Sequence, residues 1–356
     1  MAARCDALAG PAYIDQRLGD AGETVRLAQR VGDTDLELLG RRLRLVALLE
    51  QGQVHAAEAE ADAFALLAER LRLPLYLWCV PLWQGMRALM QGRLADCEPL
   101  TDQVQAIGQR AGSDNAAMLA QSQRVVWLLE TGRAQESLEL CEQAFRPTQF
   151  PAAWPWMARL LAAGGRAIEA TAVLDRLAAS DFADVPDDAQ WLGCMTCVAE
   201  ACLLLGHRDA AEAAYRRLSP FAHRFALTGT ASACFGSVAR HLGMLAQVLG
   251  RYQDAAAHFH RALGDNRRAG APLLVAHTLR AQAGLLVERA GPGDHEQADR
   301  LAREAAMIYR DLGLDHWSAA IRPSRRYLSL SRTVGHREAR GRPHRPGAAG
   351  FLTDGR

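Results

Sequence analysis

The stretch GRYQDAAAHFHRAL (residues 250–263) carries the local rule from which the rest of the chain can be read. It opens on a glycine that closes the apolar run HLGMLAQVL (241–249). Glycine accepts the left-handed backbone that ends one helix and turns the chain toward the next. Five residues on stands Ala255, small enough to let a second helix lie close against the first. Phe259 and Ala262 follow on the same helical face. Helix, glycine turn and a second helix folded back on the first is the unit this stretch encodes.

The phrase recurs at Gly52, Gly92, Gly132, Gly165, Gly206 and Gly293, with Ala57, Cys97, Ser137, Ala170, Ala211 and Ala298 five positions later. Successive glycines lie 40, 40, 33, 41, 44 and 43 residues apart, the period of a repeated helix pair. Several second helices close on a matching mark: QRVGD (29–33), ERLRLP (69–74), QRAGS (109–113), RRAGAP (267–272) and RDLGL (310–314). Each has an arginine in the last turn, at the negative end of the helix, followed by a stop signal. The unit resembles the tetratricopeptide consensus, whose marked sites fall on Tyr252, Ala255, Phe259 and Ala262. That resemblance implies an all-α, tetratricopeptide-like α-solenoid, a superhelix of antiparallel helix pairs with about seven repeats.

The pattern covers residues 20–330. Residues 1–19 lack it and are expected to be poorly ordered. The stretch 331–356, rich in Arg, Gly and Pro, has no apolar period and reads as a disordered tail. Because the pattern begins inside a repeat, more chain is expected upstream in an ancestor.

Composition narrows the chemistry. Net charge is +1, so no global field selects nucleic acid or a membrane surface. All 41 basic residues are arginine. A P-loop, a Schiff base or a protein-kinase lysine is therefore unavailable, and arginine does not replace them. The opening MAARCDALAG has no apolar core of a secretory signal, and no apolar run is long enough to span a bilayer. The eight cysteines are scattered through Ala/Leu-rich patterns, which points to a cytoplasmic protein without a disulfide framework. Cys194 and Cys197 form a C-x-x-C inside an apolar helix with no second pair to complete a zinc site, and they read as small hydrophobes. His258 and His260 point to different helix faces and cannot share a metal. No catalytic, cofactor-binding or metal residue is assigned, and the chain is not expected to be an enzyme.

Candidate groove residues remain. Trp78 and Trp83 lie on one first helix, and Trp154, Trp156 and Trp191 bracket the unit around Gly165. Aromatic and arginine anchors suit the concave wall of a helical stack, although an indole also serves as filler between Ala-rich helices. The segment 219–243 breaks the rhythm with a long Gly/Thr/Ser/Ala connection, adding Arg224, Thr228, Gly229 and Arg240 as contacts for an anionic or peptide partner. LSLSRTVGHREAR (328–340) faintly echoes the recognition helix of LuxR-type DNA-binding domains, but the supporting helices are missing and the echo is set aside.

Residues 20–320 look like the tetratricopeptide region of large bacterial signal-transduction ATPases, the LuxR-type regulators and the adenylate/guanylate cyclase-linked proteins. The carrying phrases are FGSVARHLGMLAQVLGRYQDAAAHFHRAL (235–263) and AHTLRAQAGLLVERAGPGDHEQADRLAREA (276–305). The resemblance implies a regulatory module whose repeats hold a protein segment or a small inducer, without the ATPase and DNA-binding parts. No direct nucleic-acid or membrane contact is expected. The alternatives are a nucleotide-dependent signalling enzyme related to the cyclase-linked proteins, and a truncated remnant of such a regulator.

Overall fold

The computed structural model describes residues 1–72, 74–145 and 150–320. Residues 1–320 lie within one contact unit; the tail 331–356 and the phrase at 328–340 lie outside the described residues. This unit is almost entirely helical, with one two-stranded sheet.

Each of the seven glycines sits between two helices. Gly52 divides α3 (Thr34–Glu50) from α4 (Val54–Leu71), and Gly92 divides α6 (Cys79–Gln91) from α7 (Leu94–Ala111). Gly132 separates α8 (Asp114–Glu130) and α9 (Ala134–Ala144). Gly165 separates α10 (Ala153–Ala163) and α11 (Ala167–Ala179). Gly206 lies between α12 (Trp191–Leu205) and α13 (Arg208–Leu218), and Gly250 between α14 (Val238–Val248) and α15 (Tyr252–Arg268). Gly293 lies between α16 (Pro272–Arg289) and α17 (Asp294–Asp311). All seven have positive φ, between 66° and 79°, where a side chain would be strained. All seven small residues five positions on are buried. The remaining helices are α1 (Ala2–Ala7) and α2 (Ile14–Val31) before the first pair, α5 (Pro74–Leu77) before the second, and α18 (Asp315–Ala320) after the last.

Helices adjacent in sequence pack against each other, and first helices of neighbouring pairs also touch: α6 with α8, α10 with α12, α12 with α14. The last pair returns to the second and third. α16 packs on α6, Leu312 fills the space beside Gly92, and His316 the space beside Gly132. His316 Nε2 and Trp317 Nε1 meet the Glu130 carbonyl at 2.8 and 3.0 Å, satisfying the end of α8.

Two sequence expectations change here. Residues 1–19 are placed in α1, a 3₁₀ turn at Pro11–Tyr13 and the start of α2, with Cys5 and Ile14 buried and Arg4 paired to Asp20. Single anchors hold this segment, so it shows no periodic pattern. The connection at 219–243 is a buried hairpin. β1 (Phe225–Thr228) pairs antiparallel with β2 (Ala233–Ser237), and a register shift between Ala226 and Leu227 leaves Phe235 without a cross-strand partner. Every residue of both strands is buried. The hairpin touches α3, α6, α8, α12, α14 and α15, so helices from most of the pairs close around it.

Candidate functional site

Two of the predicted groove anchors, Trp83 and Trp156, hold the chain's own hairpin. Trp83 is buried and its Nε1 donates to the Thr230 carbonyl at 3.0 Å. Its ring meets Phe64 edge-on at 4.8 Å, in a cluster with Tyr76, and Trp78 is buried in the same core. Trp156 packs against the bulged Phe235 at 5.6 Å, and Trp191 against Phe221 at the same distance. Trp154 is half-buried beneath Arg176, whose guanidinium carbon lies 4.4 Å from the ring centre. Gln123 completes the hold on the hairpin turn: Nε2 donates to the carbonyls of Leu82 and Ser232 at 2.8 Å each, and Oε1 accepts from Thr101.

The two predicted arginines are buried in ion pairs. Arg224 donates Nη2 to both carboxylate oxygens of Asp15 at 2.8 Å. Arg240 reaches Glu200 at 3.0 Å, together with Arg159 at 2.5 Å and His241 at 3.5 Å. Burial alone would raise the Glu200 pKa, yet Arg159, His241 and Arg240 hold it well below the carboxylate range. A second buried group lies on α8, α16 and α17: His277 bridges Glu130 Oε2 at 3.0 Å and the Tyr309 hydroxyl at 2.7 Å. Cys194, Cys197 and Cys202 are buried, and burial pushes the Cys197 and Cys202 thiols up to about 12. Among the described residues no group of three His, Cys, Asp or Glu is placed to hold a metal, and no helix is long and apolar enough to cross a membrane.

The hairpin turn borders an opening. A hollow of about 80 Å³ is walled by Thr228 and Gly229 of the turn, by Met118 and Leu119 on α8, and by Phe145 and Trp156. It adjoins a cleft of about 310 Å³ that shares Met118, Leu119, Gln190 and Gly229 and adds Arg17, Arg42, Asn115, Asp188 and Thr230. Met118 and Phe150, which both line the hollow, are 36% and 42% exposed. Large apolar side chains left open beside a concave wall suit an apolar ligand. No protein-family model matches the chain, and no curated protein matches it.

Of the sequence candidates, Thr228, Gly229 and Trp156 line the hollow, and Gly229 also lines the cleft; the other tryptophans line neither. The residues missed are Met118, Phe145, Phe150, Arg17 and Arg42. The exposed Met and Phe carry no signal in sequence, because only the fold shows which apolar positions remain uncovered.

The arginine end of the cleft is electrostatically loaded. Arg17 Nη2 lies 2.7 Å from Glu50 Oε2, both buried. Burial pushes the Glu50 carboxyl up to about 7 despite the opposing pull of Arg17 and Arg224. Its folded value thus exceeds the unfolded one, so its contribution to stability is full below pH 4.5 and lost as pH rises through 7. His241 runs the other way. Burial and Arg240 lower it to about 4, so its contribution is full above pH 6.5 and lost as pH falls. Each shift corresponds to about 3 kcal/mol. Between pH 4.5 and 6.5 the two slopes oppose. Glu50→Gln removes one of them, and the variant should gain about 3 kcal/mol on wild type between pH 4.5 and 8 in urea unfolding. A wild-type-to-variant difference constant with pH would show that Glu50 does not titrate as its burial implies.

Proposed function

We propose that the chain is a ligand-sensing helical-repeat module of the tetratricopeptide kind, similar to the sensor region of LuxR-type ATPase regulators, binding a small inducer without chemical turnover. The observation that carries this reading is the apolar hollow at the hairpin turn and the cleft beside it. Of the two partners expected from the sequence, the small inducer is favoured over a protein segment. Trp78, Trp83 and Trp191 are buried and leave a peptide little indole surface to dock on.

Such a module works by differential affinity: a ligand that fits one arrangement of the hairpin turn and α8 better than another shifts the population between them. The neutral probe N-phenyl-1-naphthylamine should bind the wild-type protein saturably, with enhanced fluorescence. Met118→Trp should weaken binding by about tenfold or more, since an indole at the shared wall fills the space and removes apolar contact. The partly exposed site leaves the melting temperature close to wild type. Absence of saturable binding, or equal binding by the variant, would overturn the assignment.

A further inference from the structure

Along the cleft the lining changes character, from the aromatic hollow at Phe145 and Phe150 to two arginines at the other end. Arg17 is buried, with Nη2 2.7 Å from Glu50 Oε2, and its Nε is enclosed without an acceptor. Arg42 is half-buried, its Nε is enclosed without an acceptor, and it makes no ion pair among the described residues. Enclosed donors without acceptors are costly, and a native fold keeps them where something else supplies the acceptor. A guanidinium presents its N–H groups as a planar fork that matches a carboxylate.

Resting on the reading of this cleft as a ligand site, we propose that its ligand is an anionic amphiphile, a carboxylate on an apolar body. The head lies against Arg42 and Arg17, and the body runs along Met118 and Leu119 toward Phe145 and Phe150. The cleft of about 310 Å³ falls at the lower edge of small-molecule sites. Two acidic groups bound the charge of the head. Glu50 pairs with Arg17, and Asp188 lines the same cleft while accepting the Gln190 amide at 2.8 Å. Arg17 is offset by Glu50, so Arg42, which makes no ion pair among the described residues, is the guanidinium left for a head, and Asp188 in the same cleft disfavours a multiply charged one. Leu43, Val46, Met118 and Leu119 give the body an apolar wall, facing Asn115, Gln190 and Thr230 in the same cleft.

The test is displacement of N-phenyl-1-naphthylamine by three ligands of equal chain length: decanoate, 1-decanol and decylamine. Decanoate should displace the probe at about ten- to a hundredfold lower concentration than decanol, the range of one charge-assisted hydrogen bond, and decylamine should be weakest. Arg42→Gln should erase the advantage of decanoate and leave decanol unchanged, which also reports that the variant is folded. Equal displacement by decanoate and decanol, or an advantage that survives Arg42→Gln, overturns the anionic assignment while the cleft stands. Failure of the probe to bind wild type at all removes the ligand site and the anionic assignment with it.

Discussion

Replacing Glu200 with alanine is expected to lower the unfolding free energy by about 3–5 kcal/mol, read as a fall in urea midpoint at unchanged slope. Glu200 stands in α12 within hydrogen-bonding or ion-pair reach of Arg159, Arg240 and His241, which come from α10 and α14. Removing it leaves two buried guanidiniums with no carboxylate in ion-pair distance among the described residues, Glu130 acting on them only from further off. A lone buried charge costs far more than the pair contributes, because its lost hydration is no longer offset. Glu200→Gln keeps the volume and removes the charge, so it should lose nearly as much. A loss below about 1 kcal/mol for Gln would mean that shape and not charge holds the group. Replacing all three charged residues with Met or Leu is expected to recover much of the loss, since an apolar core of similar volume needs no counter-charge. Domains commonly hold about 5–15 kcal/mol in all, so the single change reaches a large share of the total.

The glycine turns were legible in sequence because their cause is local. Only glycine takes the positive φ at those seven positions without strain, and a small residue must follow where two helices touch. The hairpin was not. Its strands are four and five residues long, buried on both faces, and therefore read as a continuous run of small and apolar residues with no alternation. Without the hairpin, an indole on an inner helix face and an indole in a groove look alike, which is why Trp83 and Trp191 could not be placed. The buried ion group did leave a trace. Glu200 is the one charged residue in WLGCMTCVAEACLLL (191–205), and Arg159 the one in AWPWMARLLAA (153–163). Both lie six residues before their turn glycines, Gly206 and Gly165. A single charge in a helix that is apolar all round has nowhere to go but toward another buried charge.

Gly193→Ala is expected to destabilise the protein, against the direction the same substitution normally takes. In the interior of an exposed helix, Gly→Ala stabilises by about 1 kcal/mol, since glycine loses more backbone freedom on folding. Gly284 in α16 is half-buried but has nothing within 4 Å of the space a Cβ would take, so Gly284→Ala should raise the melting temperature. At Gly193 a Cβ would stand 2.4 Å from the Leu227 carbonyl oxygen and 3.6 Å from the Phe235 ring. That oxygen belongs to β1, which is locked to β2 and held through the turn by Gln123 and Trp83, so it cannot swing aside as a side chain would. Either α12 backs away from the hairpin or the hairpin is pushed from its seat, at about 1–3 kcal/mol beyond the propensity gain. The sign of the Gly193 effect therefore reports whether the hairpin occupies the interior. Were that surface an open groove, both alanines would stabilise the protein, and a Gly193→Ala variant melting above wild type would refute a filled interior. If the hairpin is displaced as expected, N-phenyl-1-naphthylamine binding should rise with the loss of stability, because the apolar face of α12 then joins the hollow beside the turn.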